Sequence, residues 1–146
     1  MGELSQRIIA KVSGPAWEPL CGQFMQMARS LLAVSPDADS ELMTSYVKFT
    51  INSGPGSLVY AVVWIKNSKR MVVGLALPED YEGEGLGPAP PGMMYKGLNK
   101  YFVVERGGIV PKGLAEWAGL AYQNALSAEP LAAIQLAARE ELRRAG

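Results

Sequence analysis

Tyr46-Val47-Lys48-Phe49-Thr50-Ile51 alternates between apolar and polar-bearing positions, and it marks where the chain turns from helical to extended spacing. In an extended segment Val47, Phe49 and Ile51 share one face, and Tyr46, Lys48 and Thr50 share the other. Upstream the period is different. Trp17, Leu20, Cys21, Phe24, Met27, Ala28, Leu31 and Leu32 recur at i, i+3, i+4 and i+7, the spacing of an amphipathic helix. Pro15 suits its first turn and Val34-Ser35-Pro36 ends it. Leu4 to Val12 predicts a shorter helix before it, broken at Gly14-Pro15. Ser35 to Glu41 reads as an acidic link.

Downstream, Asn52-Ser53-Gly54-Pro55-Gly56 predicts a hairpin turn. Leu58 to Ile65 is nearly all apolar, with β-branched and aromatic residues, as a central strand requires. Lys66-Asn67-Ser68-Lys69 predicts a second turn, Met71 to Leu77 a third strand and Tyr101 to Glu105 a fourth. Glu79 to Gly92 holds Gly83, Gly85, Gly87, Pro88, Pro90, Pro91 and Gly92, so no regular element fits there. A loop of this length either borders or covers a binding surface or is a plain connection. Pro111 to Ala125 predicts a helix with Leu114, Trp117, Ala118, Ala121 and Tyr122 on one face, and Pro130 to Arg144 a last one. Helices, then strands, then helices indicate an α+β two-layer sandwich. Its antiparallel sheet of three to four strands would have the N- and C-terminal helices packed on one face. The whole of 1–146 reads as a single domain.

Composition removes several chemistries. The 146 residues include no histidine and one cysteine, Cys21, so no Ser-His-Asp or Cys-His pair exists within the chain. A zinc site of histidines or several cysteines is excluded too, and no metal or cofactor is expected. Cys21 lies among helical apolar positions and is expected to be buried. A lone cysteine, no leader-like segment and no long apolar run lead us to expect a cytoplasmic, bacterial-style protein without a membrane partner. Charges balance at 14 basic and 14 acidic, but unevenly. Lys48, Lys66, Lys69 and Arg70 stand in a stretch without acids, whereas Glu79, Asp80, Glu82 and Glu84 cluster in the loop.

Pro36-Asp37-Ala38 through Ser45-Tyr46-Val47-Lys48-Phe49, then Gly74-Leu75-Ala76-Leu77-Pro78, and finally Leu114 to Leu126 with Ala121-Tyr122, resemble segments of small bacterial domains. There a helix ends at a Pro-Asp pair, a Lys-Thr-Tyr-like stretch opens the first strand, and a later strand ends in Leu-Pro. The family is domain-of-unknown-function family 5655, similar in layout to YdhG-like domains. The resemblance covers a core of about 15–126 and leaves the predicted helix 130–144 outside it. Members often carry a histidine-containing turn before the last strand, and Tyr95-Lys96-Gly97-Leu98 stands in its place here. The resemblance implies a fold and no activity.

One constellation stands out. Tyr46 and Lys48 share a sheet face, Tyr60 and Trp64 share a side of the next strand by period two, and Tyr95, Lys96, Lys100 and Tyr101 follow the long loop. Aromatic rings beside lysines stack planar ligands and hold anions. The same rings also serve if they pack beneath the loop or against another subunit. The candidate ligand-binding set is Tyr46, Lys48, Tyr60, Trp64, Tyr95, Lys100 and Tyr101. Gly83-x-Gly85-x-Gly87 lacks the lysine and following helix of a phosphate loop, and Gly107-Gly108 reads as a tight turn. The loop acids do not match a calcium-loop spacing. Leu131, Ile134, Ala138 and Leu142 form a stripe that would pack on its own domain or on a second copy, so self-association is expected. The expected function is a non-catalytic ligand-binding or protein-interaction module taking a small anionic or planar molecule. The alternatives are a histidine-free enzyme using Lys48 or Tyr46 for proton transfer, and a weak nucleic-acid binder, which no RNP-like motif or basic helix supports.

Overall fold

The structure is a computed structural model that describes residues 6–12, 14, 18–51, 58–65 and 69–128. The predicted turn at 52–56, all but Lys69 of the predicted turn at 66–69, the predicted helix 130–144, and Leu4 and Trp17 lie outside those residues. The chain is α+β. It runs α1 (Gln6–Val12), α2 (Glu18–Leu32), β1 (Ala38–Leu42), β2 (Tyr46–Ile51), β3 (Leu58–Trp64), β4 (Arg70–Leu75), β5 (Lys100–Glu105) and α3 (Leu114–Ala128). The strands form one open antiparallel meander in the order β1-β2-β3-β4-β5.

The expected three to four strands are therefore five. The addition is β1, in the stretch expected to be an acidic link. Asp and Glu are poor strand formers in isolation. At a sheet edge, however, a strand has one neighbour, and charges there discourage further pairing. Ala38, Ser40 and Leu42 pair with Ile51, Phe49 and Val47, which leaves Asp39 and Glu41 on the opposite face across from Thr50 and Lys48. The last described helix also shifts from the expected 111–125 to 114–128. A turn closed by the Leu114 N–H donating to the Pro111 carbonyl precedes it.

The register assigns the faces. Val47 and Phe49 on β2 stand opposite Val63 and Ala61 on β3, which in turn stand opposite Val73 and Leu75 on β4. Val73 and Met71 continue to Phe102 and Val104 on β5. All of these are buried. Phe102 meets Trp117 of α3 at 5.6 Å, and α2 packs on α3 and on β1. Leu20, Phe24, Met27 and Leu31 of α2, with Leu114, Trp117, Ala118 and Ala121 of α3, complete the core as their helical spacing predicts, and Ala125 joins them. Burial of each large member stabilises the fold by roughly 1.5–3 kcal/mol. Cys21, expected inside, is only half-buried on α2.

Between β2 and β3 the ladder slips. Phe49 pairs with Ala61 and Thr50 with Val59, so Tyr60 is an extra residue in β3, a β-bulge. The bulge turns Tyr60 toward the helices, where its ring meets Tyr122 of α3 at 5.6 Å and its hydroxyl donates to the Leu31 carbonyl of α2 at 2.5 Å. That carbonyl belongs to the last turn of α2, whose carbonyls have no partner within the helix.

The loop between β4 and β5 has no strand or helix, as expected, yet it is ordered by β-turns. Tyr81, Leu86, Met93 and Leu98 donate their N–H groups to the carbonyls of Pro78, Gly83, Pro90 and Tyr95. In the last of these turns Gly97 takes φ 91°, the positive value its third position demands, which glycine adopts without strain. Midway, Gly87 and Tyr101 exchange both backbone hydrogen bonds at 2.8 Å, so the loop covers the outer edge of β5.

Candidate functional site: the aromatic face of the sheet

On the face opposite the Phe102–Trp117 contact, Tyr46 of β2 stands across from Trp64 of β3. Their ring centroids are 6.0 Å apart. Trp64 meets Tyr101 of β5 at 6.0 Å, and Tyr46 meets Tyr95 of the loop edge-on at 5.9 Å. Tyr95, Tyr46, Trp64 and Tyr101 thus form a continuous row of tilted and edge-to-face contacts, the arrangement that aligns ring edges with ring faces. Trp64 and Tyr101 are nearly covered, at 7% and 3% exposure, while Tyr46 and Tyr95 remain half-buried at the open end of the row.

The cover is the turn 95–98. The Tyr101 hydroxyl accepts the Tyr95 N–H at 2.9 Å and donates to the Leu98 carbonyl at 3.1 Å. One side chain of the sheet therefore holds both ends of the turn. Beneath the Tyr101 ring lies Gly74, its cross-strand partner on β4. A Cβ there would come within 2.7 Å of a Tyr101 ring carbon and 3.1 Å of the Leu98 Cδ1. A glycine inside a strand marks such a close approach.

Charged groups border the row. Lys48 is one position along β2 from Val47 and on the Tyr46 side; its Nζ lies 3.3 Å from the Glu41 carboxylate of β1. Arg70 and Glu105 pair at 3.6 Å across β4 and β5. Val103, on the same side of β5 as Tyr101, is 42% exposed, and Met94, beside Tyr95, is 82% exposed.

Of the seven residues singled out from sequence, the structure brings together Tyr46, Trp64, Tyr95 and Tyr101, with Lys48 beside them. It separates two. Tyr60 was expected to share a side with Trp64, but the bulge sends it to the helix face, where it is fully buried. Burial there, with Tyr122 nearby as the lesser cause, pushes the Tyr60 hydroxyl well above the ordinary tyrosine range. Lys100 pairs with Leu75, and strand alternation puts it on the side away from Tyr101. Gly74, Leu98 and Glu41 complete the site and were not singled out. Gly74 carried a readable signal, a lone glycine between Val73 and Leu75 in an apolar run. Glu41 carried none while its strand was taken for a link.

The other sequence features resolve without a site. Gly107-Gly108 is a tight turn, with the Gly108 N–H donating to the Glu105 carbonyl at 2.8 Å. Gln23 of α2 braces it, donating from Nε2 to the Glu105 and Gly108 carbonyls at 3.0 and 2.6 Å. Among the described residues no group of Asp, Glu and Cys side chains is placed to hold a metal ion, and no helix is long and apolar enough to cross a membrane.

Among known protein families, curated proteins and solved structures, none matches this chain.

Proposed function

We propose that the chain is a non-catalytic binding module and that its site is the row Tyr95–Tyr46–Trp64–Tyr101, with Lys48 at its border. This reading takes the fold as a two-layer sandwich, with the helices on the Phe102 side and the turn 95–98 on the other. The observation that supports it is the row itself, a run of ring contacts at 5.9–6.0 Å that reaches from the covered Trp64 to the half-open Tyr46 and Tyr95. A planar ligand stacks on such rings, gaining about 1–3 kcal/mol per stacked ring system. An anionic substituent would be met by Lys48, which holds Glu41 at the row's border.

Binding between the sheet and the turn requires Tyr95 to swing outward. The hydrogen bonds that oppose this movement are those of the Tyr101 hydroxyl. Proton-transfer chemistry at Lys48 or Tyr46 has less support, because Lys48 is engaged by Glu41 and Tyr46 by two neighbouring rings. The resemblance to family 5655 implies a fold alone and does not weigh between these readings.

The test is a thermal-shift screen of the full chain against nucleotides, anionic metabolites, aromatic cations and short single-stranded DNA. A ligand at about 100 times its Kd adds roughly 2.7 kcal/mol, several degrees for a domain of this size. The reading expects a shift that Tyr46→Ala removes and Glu41→Gln preserves. A shift equally strong in Tyr46→Ala places the site elsewhere.

A further inference from the structure

The turn 95–98 is held on the sheet as a ligand is held in a site. Tyr95 sets its ring edge-on to Tyr46 at 5.9 Å, and Leu98, 5% exposed, lies beside the Tyr101 ring near Gly74. Between these two side chains the Tyr101 hydroxyl accepts the Tyr95 N–H and donates to the Leu98 carbonyl. The turn closes on itself through the Leu98 N–H, which donates to the Tyr95 carbonyl at 3.0 Å. The sheet thus reads the first and fourth positions of a β-turn, by side chain and by backbone. The two central positions, Lys96 and Gly97, stay exposed.

The segment that carries this turn is fastened at its ends. Gly87 pairs with the Tyr101 backbone on one side. On the other, Asn99 donates its N–H to the Leu75 carbonyl and its Nδ2 to the Leu77 carbonyl. No side chain from Pro88 to Gly97 is buried. The turn can therefore leave the sheet while both ends of the segment stay in place. It also covers the face incompletely. Val103, two residues along β5 from Tyr101 and on the same side, is 42% exposed, and Tyr46 is half-buried. A turn on another protein, flanked by an apolar residue, makes the same contacts and covers Val103 as well. That added apolar burial is what lets it displace a competitor tethered in the same chain.

We propose that the aromatic face is a receptor for a protein β-turn, occupied in the unbound state by the chain's own turn 95–98. The partner presents an aromatic residue first, glycine third and leucine fourth in its turn, with an apolar residue beside it. This rests on the reading of the row as the binding site and deepens it: the planar group is a side chain of the partner's turn.

Gly97 separates the turn from its receptor. Its φ is 91°, and a Cβ there meets nothing within 4 Å, so a substitution strains the turn and leaves the sheet untouched. Alanine should loosen the turn, and β-branched valine should loosen it further. The probe is a cyclic hexapeptide carrying Tyr-Lys-Gly-Leu as a turn, cyclised so that little ordering cost remains. Titration calorimetry on the full chain should give a Kd that falls from wild type to Gly97→Ala to Gly97→Val. The fall should be roughly tenfold or more over the series, because the receptor is open in a larger fraction of molecules. With Gly97→Val, a ring carrying D-alanine in place of glycine should bind as well, and one carrying L-alanine more weakly. Adding Tyr101→Phe should weaken binding. No binding to Gly97→Val, a Kd constant across the series, or equal binding of the D- and L-alanine rings would overturn the proposal. Gly97→Ala keeps the comparison readable if the valine variant folds poorly. The two readings fail separately. A planar compound that stabilises the wild type but not Tyr46→Ala, with no peptide bound by Gly97→Val, keeps the row as a small-molecule site and overturns the turn receptor alone.

Discussion

Tyr60 and Trp64 stand on the same strand and face opposite sides of the sheet, because Tyr60 is itself the extra residue of the bulge opposite Phe49 and Thr50. Without the bulge, alternation would put both rings on the same side of the sheet. With it, Tyr60 ties β3 to α2 and α3, and Trp64 is left as the centre of the row.

Replacing Tyr60 with Phe removes the hydroxyl and leaves the Leu31 carbonyl without that donor. The expected loss is about 1–3 kcal/mol in denaturant unfolding, the cost of an unsatisfied buried polar group. The same variant carries a pH signature. Burial first, and Tyr122 second, raise the folded-state value of this hydroxyl above its ordinary 10.0. The unfolded chain therefore releases this proton first as pH rises. The stability contributed by Tyr60 is intact below pH 10 and declines above it, by up to about 1.4 kcal/mol per pH unit until the folded form also ionises. Unfolding measured from pH 8 to 11 should fall more steeply in the wild type than in Tyr60→Phe. Parallel curves would contradict this environment for Tyr60.

Gly74→Ala should destabilise the chain by about 1–3 kcal/mol, the range for overpacking, because the added Cβ meets the Tyr101 ring at 2.7 Å. If the clash is with that ring, Tyr101→Val should relieve it. The double variant should then be less destabilised than the sum of its parts, as a thermal-denaturation cycle would show.

Tyr101→Phe keeps the ring and loses both hydrogen bonds to the turn. The expected result is faster hydrogen exchange at the Tyr95 amide with unchanged exchange in β3 and β4. Unchanged exchange at Tyr95 would mean that other contacts hold the turn.

Glu41→Gln breaks the pair with Lys48. Glu41 is well exposed, so the loss should be under about 1 kcal/mol and should shrink further in high salt. A larger loss would mean that β1 depends on this pair for its place at the sheet edge.

Much of the fold was legible because its residues agree at two levels. The alternation of Tyr46 to Ile51 and the apolar run Leu58 to Ile65 read as strands and became central ones, buried on the helix side. β1 escaped because Asp39, Ser40 and Glu41 are weak strand formers, and only their pairing with Thr50, Phe49 and Lys48 makes them extended. The bulge escaped because period two carries no sign of an inserted residue; Tyr60 is placed by Leu31 and Tyr122, which are distant in sequence. The loop lay between these cases. Its glycines and prolines excluded a regular element, yet only the three-dimensional arrangement shows the turns and that the one at 95–98 is fastened to Tyr101.

The central claim is that the aromatic row takes a ligand, and Trp64 reports on it directly. With Trp17→Phe and Trp117→Phe in place, the emission of Trp64 is followed while a planar anion that passes the thermal screen is titrated. The account predicts a saturable change in emission that Tyr46→Ala weakens at least tenfold in Kd, about 1.4 kcal/mol. A ligand that stabilises the protein while leaving Trp64 emission unchanged would contradict it, and the row would then be packing beneath the loop.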